Sequence, residues 1–240
     1  LAPSKDNTLV QQTNPAAQTS GGQGDIFVGR TGQDGQNPPV VSIRRGLIAF
    51  DVAGAVPAGS TVTAVSLTLR ETMGNNGDQS VALHRVSQDW GEGASTAIGA
   101  AAHGDATWLY TSLIVAAPLT SPAWTVPGGA FAAAASAALL VTDDNGAGQL
   151  FTWSSAANPL MLADVQQWVD SPASNFGWAL IGNEAAGNTA KRFNGGEAAV
   201  APVLTIEYVI PEPGAALLAA LGVLALGSAH RKSPSVAGRG

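Results

Sequence analysis

The sequence contains no cysteine. This absence excludes disulfide bonds, thiolate nucleophiles, cysteine-ligated zinc and iron–sulfur clusters. It does not decide the cellular compartment, because cytosolic and secreted proteins alike can lack cysteine. Evidence for export has to come from another part of the chain.

Charged residues are scarce and mostly of one sign. They make up 12% of the chain, and residues 1–210 carry 8 Lys and Arg against 16 Asp and Glu, a net charge of −8. An acidic surface repels the phosphate backbone of DNA and RNA. We therefore expect no nucleic-acid partner.

The common catalytic signatures are also missing. The sequence has no GxSxG elbow, HExxH helix, Walker loop or dinucleotide-binding glycine pattern. In residues 1–210 only His84 and His103 are available for acid–base chemistry at neutral pH. A glycosidase needs only two carboxylates across a cleft, and Asp89, Glu92 and Asp105 are the candidates for such a pair. We expect a protein that is not an enzyme.

Abundant glycine (29) and proline (14) favour many short strands joined by turns, and hence an all-β class. Val65, Leu67 and Leu69 alternate with polar residues, which predicts a half-buried strand. Residues 45–52 are more continuously apolar, as in a central strand covered on both faces. The alanine-rich residues 130–140 are compatible with either a helix or a strand. Further strands are predicted at residues 80–86, 176–182 and 203–209.

One helix is predicted between two prolines. Pro159 is suited to the first helical turn, and Pro172 ends the segment. Between them Leu162, Val165 and Val169 recur at helical spacing. This predicts a helix of about three turns.

The C-terminal segment has a different composition from the rest of the chain. Residues 214–229 read GAALLAALGVLALGSA, without a charge, and a basic end follows at Arg231 and Lys232. A membrane-spanning helix needs roughly 17 to 25 apolar residues. The run lies just under that length, so we expect an apolar C-terminal helix that engages a membrane.

Pro211, Glu212 and Pro213 directly precede the apolar run. The two prolines oppose both continuation of a strand and entry into a helix, so we expect one domain over residues 1–209 and a tail over residues 210–240. A Pro-Glu-Pro tripeptide, an apolar run and a basic end resemble the PEP-CTERM sorting signal of Gram-negative bacteria. The resemblance implies processing by an exosortase-type membrane enzyme. The alternative is an Ala/Leu-rich helix packed on the domain.

Short fragments of residues 1–209 occur in an order that resembles the DNRLRE-type domain family. They are DNTL at 6–9, RRGLIAFD at 44–51, LHRV at 83–86, DWGEG at 89–93, GDATW at 104–108, WSS at 153–155, DVQQW at 164–168, FGW at 176–178 and KRF at 191–193. The resemblance implies a secreted, jelly-roll-like β-sandwich that is found upstream of PEP-CTERM tails. It implies little chemistry, although some relatives are similar to carbohydrate-binding modules.

Three tryptophans are candidates for binding a glycan. Trp90 is close to Glu92, and an indole beside a carboxylate can stack on a sugar while the carboxylate accepts hydroxyl hydrogen bonds. Trp124 and Trp153, near Pro- and Ser-rich loops, are further candidates for exposed stacking platforms. The alternative is that Trp90 closes the end of the sandwich as part of the core, with Glu92 paired to an arginine.

Calcium is the cofactor to consider, because it binds carboxylate and carbonyl oxygens of irregular loops. A structural ion between the first and last strands would be held by Asp6 and Glu207. The acidic turn at residues 143–146 is a second candidate, although it lacks the EF-hand spacing.

Together these features predict an exported, non-catalytic protein of the cell surface or extracellular matrix of a Gram-negative bacterium. Two alternatives stay open. The domain is a polysaccharide-binding module, with or without calcium, or it is a structural subunit that associates with copies of itself through edge strands or the tail.

Overall fold

The computed structural model describes residues 1–12, 14, 19–21, 24–32, 43–74, 77–96, 99–143 and 147–211. Within these ranges the fold is all-β with one short helix, as predicted. The helix is α1 (Pro159–Asp170). The strands are β1 (Lys5–Val10), β2 (Thr19–Ser20), β3 (Ile26–Arg30), β4 (Ile43–Ala49), β5 (Thr61–Gly74), β6 (Gln79–Arg85), β7 (Gly99–Ala100), β8 (Ala137–Val141), β9 (Leu150–Ser154), β10 (Trp178–Ile181), β11 (Lys191–Phe193) and β12 (Val203–Val209).

The long strand β5 confirms the clearest alternation in the sequence. Val65, Leu67 and Leu69 are at most 2% exposed, whereas the residues between them are half-buried. β5 also continues beyond the alternating segment to Gly74. Its first half pairs with β12 and its last residues pair with β11.

The strands form one connected antiparallel sheet that surrounds a common core. Their order is β12-β5-β11-β3-β4-β1-β2-β7, with β9 also on β5 and with β10, β6 and β8 extending from β4. Two parts of this sheet contribute to the same hydrophobic cluster. One part supplies Leu67, Trp153 and Leu204, and the other supplies Ile48, Leu83 and Leu180.

The central strand β4 is covered on both faces, as its continuous apolar sequence predicts. Ile48 and Phe50 point into the main cluster, whereas Leu47 and Ala49 belong to a second cluster on the opposite face. This second cluster is completed by residues 86–96 and 99–131, which are mostly irregular and which we call the loop layer. Its largest side chains are Trp90, Trp108 and Trp124.

Helix α1 has the predicted bounds and packs its apolar face on the main cluster. Val165 and Trp168 are fully buried, and the Trp168 ring lies 4.6 Å from the ring of Trp178 on β10. The Trp178 Nε1–H donates to Asp164 Oδ2 at 2.9 Å. A polar helical residue thus satisfies the buried indole of the adjacent strand.

Several strands are not evident from sequence patterns. β1 carries Asp6, Asn7 and Thr8 in its middle, all nearly inaccessible to solvent, so it has no apolar alternation. Its backbone pairs with β4 along its whole length, and this pairing defines the strand. The ambiguous alanine-rich run contributes β8 at its end.

β12 ends at Val209, and Ile210 and Pro211 follow it directly. The predicted apolar C-terminal helix falls in residues 212–240, outside the described residues. In the ranges described above, no helix is long and apolar enough to cross a membrane.

Candidate functional site

Three acidic side chains from distant parts of the chain meet at one edge of the fold. Carboxylate oxygens of Asp6, Glu92 and Glu197 all lie within 4.8 Å of one another. Asp6 belongs to β1, Glu92 to the loop layer, and Glu197 to the turn between β11 and β12. We call this group the carboxylate cluster.

Backbone hydrogen bonds hold the cluster together. Glu92 Oε1 accepts the Asp6 N–H at 2.9 Å, and the neighbouring Asn7 Nδ2 donates to the Glu92 carbonyl at 3.0 Å. The Gly196 N–H donates to Asp6 Oδ2 at 2.6 Å, and the Gly24 N–H donates to Glu197 Oε2 at 3.1 Å. Each carboxylate is therefore positioned by a segment other than its own.

Asp6 is the buried member of the cluster. The residue is only 1% exposed, and its Oδ1 has no hydrogen-bond donor. The pKa of Asp6 is raised to about 7. Burial is the main cause, the Gly196 hydrogen bond opposes it, and the nearby Glu197 and Glu92 act in the same direction as burial. Burial also raises the pKa of Glu92, with Glu197 acting in the same direction.

Glycines permit the close approach of the surrounding backbone. A Cβ on Gly195 would collide with the Gly24 carbonyl oxygen and come within 2.8 Å of Asp6 Oδ1. A Cβ on Gly196 would lie 2.9 Å from Asp6 Oδ2. The two glycines thus allow the backbone, including the Gly24 carbonyl, to pack closely around the Asp6 carboxylate.

A cleft of about 520 Å³ adjoins the cluster, and Glu197 lines both. Arg192 in its wall is held by Asp25 Oδ2, 3.3 Å from its Nε, and by Thr72 Oγ1, 3.0 Å from the same atom. The Arg192 guanidinium lies 6.0 Å from the centre of the Phe27 ring. We call this the Arg192 cleft; Gly24, Thr96 and Ala198 complete its lining.

The three tryptophans proposed as stacking platforms are buried, so that prediction is wrong for the described fold. Trp90, Trp124 and Trp153 are 4%, 5% and 1% exposed. Each indole N–H donates to a backbone carbonyl, of Phe176, Thr107 and Val81 respectively. Trp90 is a core residue of the second hydrophobic cluster, and the alternative interpretation did predict a core role for it. Glu92 contacts the Asp6 backbone and not an arginine.

Of the two residues predicted to hold calcium, Asp6 belongs to the carboxylate cluster and Glu207 does not. The prediction assumed that the first and last strands meet, but β1 pairs with β4. The N-terminal segment contacts β12 at Leu1, ahead of β1, which exchanges hydrogen bonds with Leu204. Glu207 is exposed on β12, opposite Ala64 of β5, and is not part of the cluster. Of the acidic turn at 143–146, residues 144–146 lie outside the described residues.

Glu197 was missed by sequence reasoning. The Asn-Gly-Gly sequence at residues 194–196, directly before it, is typical of a turn, but an acidic residue after a turn is common on protein surfaces and indicates no site. The proximity of Glu197 to Asp6 depends on the packing of β11 and β3 beside β1 and β4, which local patterns do not contain.

The other acidic residues considered for catalysis are engaged separately. The Asp89 side chain is 74% exposed and forms an ion pair with Lys5 at 2.8 Å. Asp105 is fully buried and accepts the N–H groups of Ser95 and Ala102. Neither belongs with Glu92 in the carboxylate cluster.

A second group of buried charges lies inside the sheet. Lys191 Nζ of β11 is 3.0 Å from Glu71 Oε1 of β5, and the two side chains are 1% and 0% exposed. This ion pair, unlike the carboxylate cluster, contains charges of both signs.

Of the residues in the predicted sorting tail, Pro211 is described and follows β12. Glu212, Pro213, Arg231 and Lys232 lie outside the described residues, so the resemblance to a sorting signal stays a prediction. The chain matches no protein-family model, and no curated protein is significantly similar to it.

Proposed function

We propose that this chain is an exported, non-catalytic β-domain of the cell surface or extracellular matrix, a jelly-roll-like sandwich carried by a C-terminal sorting tail. The observation that supports this most is the position of the tail. The last strand continues to Val209, and Pro211 opens the Pro-Glu-Pro tripeptide two residues later.

The order of these elements suits a sorting signal that is cleaved off after it has been recognised. The prolines at 211 and 213 separate the strand from the apolar run, so a membrane enzyme of the exosortase type can reach the tripeptide without unfolding β12. The apolar run holds the chain at the membrane before processing, and the cations at 231 and 232 stay on the cytoplasmic side.

Processing can be tested in a Gram-negative bacterium that has an exosortase-type enzyme. We expect the exported chain to lose its tail, so that mass spectrometry finds a C-terminus near Pro211. A variant with Pro211→Ala and Pro213→Ala should retain residues 212–240. The matched control replaces two exposed prolines of the domain, Pro57→Ala and Pro127→Ala, and should be processed normally. Intact full-length chain in the cytoplasm would contradict the proposal.

Polysaccharide binding is the second candidate function, and the Arg192 cleft favours it. The cleft combines the half-buried ring of Phe27 with the guanidinium of Arg192 and the carboxylate of Glu197. An aromatic surface with a few polar groups is the usual composition of a sugar site. The buried tryptophans do not take part.

Affinity gel electrophoresis against a panel of neutral and acidic polysaccharides tests this candidate. If the cleft binds sugar, Phe27→Ala and Arg192→Gln should each abolish the retardation that the unaltered chain shows. Tyr208→Ala, which removes a partly exposed aromatic of β12, serves as the control and should be retarded normally. If all variants were retarded to the same extent, or if no polysaccharide retarded the unaltered chain, the cleft would not be a sugar-binding site.

A further inference from the structure

We propose that the carboxylate cluster of Asp6, Glu92 and Glu197 is a binding site for one divalent cation, with Ca²⁺ as the ion that fits it best. The site shares Glu197 with the Arg192 cleft, but its test measures cation binding and so does not depend on the sorting tail or on polysaccharide binding.

The first observation is an excess of negative charge in a confined place. Three carboxylates lie within 4.8 Å of one another, and like charges at such distances repel strongly where the surroundings are partly desolvated. The nearest lysine, Lys5, directs its Nζ to Asp89 Oδ1 at 2.8 Å and to the Trp90 carbonyl at 2.6 Å. Its ammonium group is thus committed to other acceptors.

The second observation is independent of charge. Asp6 is 1% exposed, and its Oδ1 is enclosed without a hydrogen-bond donor. Buried polar atoms in folded proteins nearly always have a partner, and leaving one without a partner destabilises the folded state. A bound cation would satisfy this oxygen and neutralise the cluster at once.

The donor set favours calcium over transition metals. All three side chains offer oxygen, and the cluster contains neither histidine nor cysteine, the ligands that select zinc, copper or nickel. The Gly24 carbonyl oxygen lies against Gly195 beside Asp6 Oδ1 and is a candidate for a fourth ligand. Glu197 is exposed, which leaves room for water on that side.

The flexible ligand number of calcium matches this arrangement better than the strict octahedron of magnesium. Calcium accepts six to eight oxygens at about 2.3–2.6 Å, from carboxylates in one or two contacts, carbonyls and water. The cluster is assembled from a strand, a loop and a turn, whose side chains can adjust by the small distances that coordination requires.

A cation here would join three segments that are distant in sequence. β1, the loop layer and the turn after β11 would share one ion, and Glu197 at the rim of the Arg192 cleft would be held in place. Such a ligand stabilises the folded state by mass action, in proportion to the logarithm of its concentration over its dissociation constant.

Isothermal titration calorimetry on the full chain, freed of metal with EDTA and exchanged into chelator-free buffer, tests the site. We expect one Ca²⁺ per chain, with Mg²⁺ bound at least tenfold more weakly. Asp6→Asn and Glu197→Gln should each weaken Ca²⁺ binding tenfold or more. Glu207→Gln removes an exposed carboxylate outside the cluster and is the matched control, so its affinity should equal that of the unaltered chain.

Thermal unfolding provides a second readout. Saturating Ca²⁺ should raise the Tm of the unaltered chain and of Glu207→Gln, and should leave Asp6→Asn and Glu197→Gln nearly unchanged. If Asp6→Asn fails to fold, Glu197→Gln still decides the question, because its side chain is exposed. No binding at Ca²⁺ concentrations up to about 10 mM, well above those that fill weak extracellular sites, would overturn the proposal. Equal binding by all variants would overturn it as well.

Discussion

Two groups of charged residues in the described part of the chain are built differently. Lys191 and Glu71 form an ion pair inside the sheet, with both side chains at most 1% exposed. Asp6, Glu92 and Glu197 bring together three charges of one sign where β1 meets the loop layer. The first group contains its own cation, and the second is surrounded by the backbone of glycines.

The two groups differ in how their charge is balanced. A buried pair of opposite charges is balanced in charge, although its desolvation cost makes it a poor source of stability. Its removal as a pair is therefore tolerated better than the removal of one partner. A group of like charges around a buried carboxylate is balanced by something added from solution, either a proton or a metal ion.

The largest expected effect comes from removing the lysine of the internal pair. Lys191→Met keeps the length of the side chain but leaves the Glu71 carboxylate buried without its ammonium partner. We expect the free energy of unfolding, measured in urea, to fall by about 3–5 kcal/mol. Adding Glu71→Gln to this variant should recover most of the loss, because the buried negative charge is then removed as well.

Two outcomes would contradict this view of the pair. Equal destabilisation by the single and the double variant would mean that packing, and not charge, sets the role of Lys191. A single variant within about 0.5 kcal/mol of the unaltered chain, the range of ordinary surface substitutions, would mean that the charge of Lys191 contributes nothing measurable.

A smaller effect is expected from the pH dependence of the carboxylate cluster in EDTA. The folded-state pKa of Asp6, about 7, lies above its unfolded value near 3.8, so the folded chain holds this proton more tightly. The contribution to stability is full below pH 3.8 and is lost as the pH rises through 7. The unaltered chain should therefore lose stability relative to Asp6→Asn across this range.

The comparison with Asp6→Asn removes one titrating group among several. Glu92, Glu197 and Lys5 are present in both proteins, so the difference reports the titration of Asp6 together with its repulsion of the neighbouring carboxylates. Denaturant unfolding at a series of pH values in EDTA gives the difference directly. A difference that stays constant with pH would show that Asp6 is ionised to the same extent in the folded and unfolded chain.

Much of the fold was predictable because local patterns and burial coincide. The alternation at Val65, Leu67 and Leu69 predicted the buried face of β5, and Pro159 and Pro172 bracketed α1. No local pattern indicates β1, because Asp6, Asn7 and Thr8 are polar residues buried by pairing with β4. A polar strand in the interior has no signature in a single sequence.

The candidate site was predictable only in fragments. Asp6 was predicted to bind a calcium ion and Glu92 to bind a glycan, at two separate sites. The two residues lie close to each other and to Glu197 because of the order of the strands in the sheet, which brings positions 6, 92 and 197 together. The tryptophans show the opposite error: a Trp beside an acidic residue is compatible with a sugar site, yet Trp90, with its N–H satisfied by the Phe176 carbonyl, is a core residue.

The smallest expected effect concerns Lys5, which borders the carboxylate cluster without entering it. Its ion pair with Asp89 is largely exposed and contributes about 0–1 kcal/mol, and its Nζ lies 4.4 Å from the centre of the Trp90 ring. Lys5→Met should lower the free energy of unfolding by about 1 kcal/mol or less.

Lys5→Met should also strengthen Ca²⁺ binding severalfold at low salt, because a positive charge near Glu92 is removed, and this gain should shrink as salt screens the interaction. Lys5→Arg keeps the charge and should bind Ca²⁺ as the unaltered chain does. If Lys5→Met instead weakened calcium binding, Lys5 would be supporting the geometry of the cluster through its contact with the Trp90 carbonyl, and the cluster would depend on an internal cation in the way that Glu71 depends on Lys191.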